Sequence, residues 1–296
     1  MHSVPEELLR GPFLVVRARE LGVSEPVLRG RRFRTPWKGV RVPALLPDDV
    51  HTRCAALSLL IPEAVFSHAT AAELMGLWMP LGWNETSLHV SGNHAMQRQG
   101  VVAHQATWRP GDLQERRGLK ITSPTRTLCD LAAANWTLTD LVTIADSIQS
   151  RSLATTEDLR ARIQTWPPAP GARILRRVAT LTRPGSDSAM ETRLRLQLRA
   201  ADLPEPEINQ TVYDANGEYL HRPDLSWPQF KVAADYDGAH HLTDAERRRR
   251  LDIARKEALE EAGWLLRILT ATDVLQHPGR ATDRVRRALR ERGAEV

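Results

Sequence analysis

The stretch Arg222-Pro-Asp-Leu-Ser-Trp-Pro-Gln-Phe-Lys-Val-Ala-Ala-Asp-Tyr-Asp-Gly-Ala-His-His241 constrains this chain most. It sets three carboxylates and two imidazoles at the ends of two extended runs. A strand turns successive side chains to opposite faces, so Asp235 and Asp237 share one side of the run Lys231 to Tyr236, and Asp224 opens the neighbouring extended segment. Tyr236 faces the other way and is expected in the core. Crowded carboxylate oxygens suit a hard cation such as Mg²⁺.

The flanking pattern frames that stretch. From Ser188 onward it reads helix, strand, strand, strand, helix, strand, helix. Met190, Leu194 and Leu198 fall on one face of a helix spanning Ser188 to Ala201. Extended runs at Ile208 to Tyr213 and Glu218 to Trp227 flank Asp214-Ala-Asn-Gly217, residue types that tolerate a positive φ. Lys231 to Tyr236 reads as the central strand and Thr243 to Ala262 as the next helix. Gly263 caps that helix before a strand at Trp264 to Leu269. The expected fold is α/β, a mixed sheet flanked by helices.

With 296 residues the chain has room for about two domains of ~100–200 residues each. Residues 1–48 read as a winged helix-turn-helix: helical spacing from Phe13 to Leu21, a turn at Gly22-Val23, then a helix opened by Ser24 and Pro26. Residues 49–165 read as a small α+β region, with helices at His51 to Leu60 and Ser67 to Gly76. Strands are expected at Ser87 to Ser91 and Val101 to His104, and a helix begins at Pro124 with Ser123 as its cap. Residues 166–187 hold the breaks Trp166-Pro-Pro-Ala-Pro-Gly171 and Arg183-Pro-Gly-Ser-Asp-Ser188 and read as a linker, and 188–296 form the α/β domain. His68, His89, His94 and His104 lack the tight paired spacing of metal ligands, so no metal site is expected there. Cys54 and Cys129 each lie on an amphipathic helix and suit small buried hydrophobes rather than a disulfide.

The net charge of +5 and a pI near 9.7 point to an anionic partner. Of 41 basic residues 37 are Arg, whose guanidinium grips phosphate oxygens in pairs. Arg29, Arg31, Arg32, Arg34, Lys38 and Arg41 follow one another without an acid and interleave with Phe33 and Trp37, the mix expected at a DNA backbone. A solvated basic loop has the same composition. Arg247 to Arg250 with Arg255 and Lys256 are placed to track phosphate, unless Asp244, Glu246, Asp252 and Glu257 simply balance them on a helix face. With no secretory h-region and no long apolar run, the expected location is cytoplasmic and no membrane partner is expected.

Four motifs occur in order over residues 186 to 292: Ser-Ala-Met-Glu-Thr-Arg-Leu-Arg195, Pro-Asp-Leu-Ser-Trp-Pro228, Asp-Tyr-Asp-Gly-Ala-His-His241 and Asp-Ile-Ala-Arg-Lys-Glu-Ala-Leu-Glu-Glu-Ala-Gly-Trp264. Together they resemble the PD-(D/E)XK nucleases, within them the bacterial family similar to very-short-patch repair endonucleases. The resemblance implies a restriction-endonuclease-like core. In it Asp224 and Asp235 hold Mg²⁺ or Mn²⁺, Glu191 adds a third carboxylate, Asp237 stands in the catalytic cluster and His241 transfers a proton. The family usually has Glu where Asp235 stands, and the superfamily's Lys is replaced by Asp237. More loosely, Gly39-Val40, Ser67-His-Ala-Thr-Ala-Ala72 and Ser123-Pro-Thr-Arg-Thr-Leu128 resemble the winged-helix and following domain of type IV AbiEi antitoxins, which implies DNA binding and a possible protein partner.

Each residue also has a plainer role. Glu191 completes a capping box with Ser188, Asp224 is a turn acid after Pro223, Asp237-Gly238 is a turn pair and His240 is a neighbour. The expected function is a DNA-binding, Mg²⁺-dependent endonuclease, and the alternative is a non-enzymatic regulator or antitoxin-like protein that keeps a degenerate nuclease fold.

Overall fold

Along strand Val232–Asp237 the side chains alternate between two apolar layers. Val232 and Ala234 join Leu194, Leu198, Trp227 and Leu289, whereas Ala233 joins Val212, Leu259, Trp264 and Leu266. A strand covered on both faces reads as a continuous apolar run, as Val-Ala-Ala does here. The computed structural model describes residues 4–92, 98–237 and 256–296; His94, His240, His241, Arg247, Arg250 and Arg255 lie outside them. The chain forms two units, Met1–Leu141 with Glu157–Arg177 and Val142–Thr156 with Val178–Val296, each of mixed α/β structure. No helix of the described residues is long and apolar enough to cross a membrane.

In the second unit Val232–Asp237 pairs in parallel with Leu265–Thr270 and antiparallel with Leu225–Trp227, which pairs antiparallel with Glu207–Ile208. Helices Ala189–Ala200 and Pro278–Glu291 supply Leu194, Leu198, Val285 and Leu289 to one layer. Residues 256–261 are helical, and Gly263, at φ 77°, ends that helix with Trp264 N–H donating to the Leu259 carbonyl at 2.7 Å.

The single strand expected from Glu218 to Trp227 is two. Tyr219–His221 pairs with Val212–Tyr213 in a separate hairpin, while Leu225–Trp227 joins the four-stranded sheet. Pro223 has no N–H to continue a ladder. Arg222, beside it, ties down the break by donating from Nε to the Asn209 carbonyl (2.9 Å) and from Nη1 to Asp187 (2.7 Å).

In the first unit Val40–Pro43 lies between Phe13–Leu14 and Phe33–Arg34 in an antiparallel sheet. Phe13 and Leu14 are therefore strand, and the helix expected from Phe13 begins at Val15 (Val15–Glu20). A one-turn helix follows at Glu25–Leu28. Phe13 meets Phe33 edge to face at 5.2 Å, closing a small core with Leu8, Ala18 and Leu28. A five-stranded mixed sheet comes next, in the order Val101–Gln105, Leu88–Gly92, Val65–Phe66, Leu119–Thr122, Leu113–Arg116. Ser123 precedes helix Pro124–Ala133 but makes no side-chain cap bond; its main-chain carbonyl accepts from Thr127 N–H.

The segment read as a linker, 166–187, divides at 177 between the two units. Trp166 lies against the guanidinium groups of Arg126 and Arg162, and a Cβ on Gly171 would come within 2.6 Å of the Ala132 main chain. Proline-rich composition marked the break in periodicity, yet the aromatic ring and the missing Cβ are what seat residues 166–171 on the fold.

Residues 142–156, expected with the middle region, belong to the second unit, and Asp146 supplies the reason. Its fully buried carboxylate accepts from Thr182 Oγ1 (2.7 Å), Arg183 N–H (2.9 Å), Thr192 Oγ1 (2.9 Å) and Arg195 Nη2 (3.0 Å). Thr192 and Arg195 lie on helix Ala189–Ala200, the helix that carries Glu191. Removing one member of a buried ion pair strands the other without solvent or partner. Asp146→Ala is expected to destabilise this unit by about 3–5 kcal/mol, read as a lowered urea midpoint, whereas Asp283→Ala in the same unit, whose ion pair with Arg286 is exposed, is expected to change it by less than about 1 kcal/mol.

Candidate functional site

The antiparallel register Leu225↔Ala234 continues one residue further to bring Asp224 opposite Asp235. Asp224 N–H donates to Asp235 Oδ1 at 3.2 Å, and Tyr236 N–H donates to Asp224 Oδ2 at 2.6 Å, so each acid is held by the main chain of the other's neighbourhood. His221 Nε2 lies 2.7 Å from Asp235 Oδ2. Glu191 comes from helix Ala189–Ala200 and is buried. Its Oε2 accepts from Asn209 Nδ2 (2.6 Å) and Asp187 N–H (2.8 Å), while Asn209 N–H donates to the Asp224 carbonyl. The capping role is present as well: Ser188 Oγ accepts from Glu191 N–H at 3.2 Å.

Burial pushes the Asp224 carboxyl up to about 7. Tyr236 N–H opposes this, the charges of Glu191 and Asp235 add to it, and His221 relieves it. Three acids thus repel one another at the end of the mixed sheet, the electrostatic condition a cation removes. Their spacing is looser than a closed ligand set. Among the described residues, the group of three potential ligand atoms lying within 4.8 Å of one another comes from His68, His89 and His104, not from these acids.

Asp237 ends its strand exposed, on the same side as Asp235, and Tyr236 packs on the core as expected. His241 lies outside the described residues. Sequence reasoning missed His221 and Asn209. His221 was legible only as an inward residue three positions before Asp224, and nothing marked Asn209, which takes a left-handed φ of 51° just after strand Glu207–Ile208.

The basic segment of the first unit is divided in use. Arg34 donates to the Leu46 (2.8 Å) and Pro47 (3.1 Å) carbonyls and pairs with Asp48, and Arg41 donates to the Leu28 (2.8 Å) and Val40 (2.9 Å) carbonyls. Both are engaged inside the fold. Arg29 lies 3.6 Å from Glu25, and Arg31, Arg32 and Lys38 are exposed. Arg19, Arg29, Trp37, Lys38 and Arg41 line one open groove.

The three histidines that sequence spacing kept apart come together in the same unit. His89 and His104 lie on parallel neighbours, with Ser91 opposite His104, so both point to one face, and His68 opens the helix His68–Met75. His68 and His104 stack at 3.7 Å, and His89 Nδ1 lies 2.9 Å from His104 Nε2. Burial, reinforced by the neighbouring rings, pushes His68 down to about 3 and His104 to about 4. The expectation of scattered histidines fails because parallel pairing brings positions 15 residues apart within one hydrogen bond.

No model of a known protein family matches the chain. It is 28% identical over 257 residues to the uncharacterized protein MT2308 of Mycobacterium tuberculosis (strain CDC 1551 / Oshkosh) and equally to the uncharacterized protein Rv2248 of strain ATCC 25618 / H37Rv. The match covers 86% of this chain and 91% of each relative. The solved structure titled "Crystal structure of RV2827C protein from Mycobacterium tuberculosis" matches 62% of this chain and 84% of its own at 14% identity, with a TM-score of 0.40, too low to carry fold or function across.

The raised Asp224 carboxyl fixes the sign of a pH effect. Its affinity for a proton is higher folded, near 7, than at the ordinary 3.8 of an exposed aspartate. The folded state therefore gains stability below the ordinary value and loses it as pH rises toward and through 7. Asp224→Asn is expected to raise the urea midpoint at pH 8 relative to the parent and to leave it nearly unchanged at pH 4, as measured by chemical denaturation at both pH values.

Proposed function

We propose that this chain is a DNA-binding protein whose second unit hydrolyses phosphodiester bonds with Mg²⁺ or Mn²⁺. This takes residues 1–48 as a winged helix-turn-helix and 188–296 as a restriction-endonuclease-like core, as the resemblances imply. The observation that carries it is the convergence of Glu191, Asp224 and Asp235 from a helix, a strand entry and a central strand, with Asp224 bearing the repulsion of the other two. All-oxygen donors of this kind fit a hard divalent cation, with Asp224 and Asp235 as its holders and Glu191 as the outer carboxylate. When bound, such a cation neutralises phosphate charge and makes a water nucleophilic. His221, against Asp235, holds or passes a proton at Nε2, the task first assigned to His241.

DNA contact in this reading is to the backbone. Helix Glu25–Leu28 is a single turn, too short to lie along a major groove, whereas Arg31, Arg32 and Lys38 project from the edge and loop of the small sheet. Such contacts hold register without reading bases.

A second reading is favoured by its own observation. Both Asp235 oxygens already have partners, Asp224 N–H and His221, and the three acids do not close to within 4.8 Å. In this reading the unit is a non-enzymatic regulator or antitoxin-like protein with a degenerate nuclease fold, which contacts DNA or a protein partner.

Nicking of supercoiled plasmid across a Mg²⁺ titration separates the two. The nuclease reading expects relaxation that Asp224→Ala abolishes while DNA affinity stays within a few-fold. Retardation of the plasmid without any nicking, in Mg²⁺ and in Mn²⁺, leaves the regulator. Arg31→Ala and Arg32→Ala are each expected to reduce the slope of log affinity against log salt by about 1, uniformly across DNA sequences, as measured by fluorescence anisotropy.

A further inference from the structure

We propose that His68, His89 and His104 form a binding site for one divalent transition-metal ion of the zinc class, separate from the carboxylate cluster. One ligand nitrogen from each ring lies within 4.8 Å of the other two. His89 Nδ1 and His104 Nε2 face each other at 2.9 Å. Two ring lone pairs at that distance need a proton between them or a cation in its place. Zinc–nitrogen bonds of about 2.0–2.1 Å at tetrahedral angles separate ligand nitrogens by about 3.3 Å, so seating the ion requires His104 to swing off the face of His68, where it stacks at 3.7 Å, until the in-plane lone pairs converge and its contact with His89 opens by a few tenths of an ångström.

The surroundings accommodate the tautomers that coordination requires. Ser91 Oγ donates to Ser67 Oγ (2.6 Å), and Ser67 Oγ lies 2.9 Å from His68 Nδ1. Ser67 Oγ can donate to His68 Nδ1 or accept from it, and in the accepting arrangement, with the proton on Nδ1, His68 keeps the Nε2 lone pair. Glu85 Oε1 stands 3.2 Å from His89 Nε2, off the line of a hydrogen bond but on the side opposite Nδ1. A carboxylate behind a ligand imidazole is the usual outer partner of a histidine-bound metal. It also brings negative charge to the site, and Arg126, whose charge reaches His68, is already paired with Asp112 and Asp130.

His68 is held in place. It is 8% exposed and has a φ of 51°, a conformation that a side-chain-bearing residue keeps only when its surroundings impose it. Thr70 Oγ1 accepts from His89 N–H, and Ser67 N–H donates to the His89 carbonyl, so helix and strand are locked together beside the rings. An all-nitrogen set of three neutral imidazoles suits Zn²⁺, Co²⁺, Ni²⁺ or Cu²⁺ and discriminates against Mg²⁺, and three protein ligands leave a fourth position for water or substrate.

The test uses the full chain, freed of metal by a chelator and titrated calorimetrically with Zn²⁺, with Co²⁺ absorption as a second readout. The expected result is one equivalent bound, Co²⁺ bands of four-coordinate intensity, a thermal transition raised by Zn²⁺ and no heat from Mg²⁺ at this site. His89→Gln and His104→Gln are expected to lose that equivalent with their metal-free thermal transitions unchanged, whereas Asp224→Asn and Asp235→Asn keep it. If either histidine variant does not fold, the parent's Co²⁺ spectrum still decides. Absence of a stoichiometric Zn²⁺ equivalent in the parent, six-coordinate Co²⁺ bands, or binding by both histidine variants within a few-fold of the parent overturns the proposal and leaves a stacked, hydrogen-bonded trio.

Discussion

The register between Leu225–Trp227 and Val232–Asp237 is the constraint on which the second unit's chemistry depends. Because Leu225 pairs with Ala234, Asp224 and Asp235 must stand opposite each other at the open end of the ladder, and a slip of one residue would turn one of them into the core. That register is set by the apolar alternation on both faces of the central strand, in the residues that lead up to the acids. Packing forces two like charges together, and local donors, namely Tyr236 N–H, Asp224 N–H and His221, keep the arrangement tolerable.

Glu191 joins them through a second chain of constraint. Its helix is fixed by Arg195 and Thr192 on the buried Asp146, and its carboxylate is aimed by Asn209, which also takes the Asp224 carbonyl. The two candidate sites follow one structural logic with opposite chemistry. Each lies on a mixed sheet beside the first turn of a helix, His68–Met75 for the imidazoles and Ala189–Ala200 for the carboxylates, and each draws its groups from neighbouring strands. One collects hard oxygens, the other borderline nitrogens, and the two donor sets favour different ions.

Periodicity made most of the elements legible. Met190, Leu194 and Leu198 announced their helix, Gly263 its cap and Asp214-Ala-Asn-Gly217 its turn, because these depend on contacts within a few residues. Errors appeared where long-range pairing overrode local pattern. Phe13 and Leu14 have helical spacing but join a strand because Val40 and Arg41 lie alongside. Pro223 splits what alternation joined, and residues 142–156 leave the region next to them because Asp146 needs Arg195.

Read alone, the chain determined a mixed α/β fold and identified Asp224, Asp235 and Glu191 as the acids to watch, since alternation along a strand and spacing along a helix are local rules. Only the folded chain decided that His221 touches Asp235, that Arg34 and Arg41 are bonded within the fold, and that His68, His89 and His104 meet. Those outcomes depend on which strands become neighbours and in what register, and that is chosen by burial summed over the whole unit, a quantity no short stretch of sequence carries.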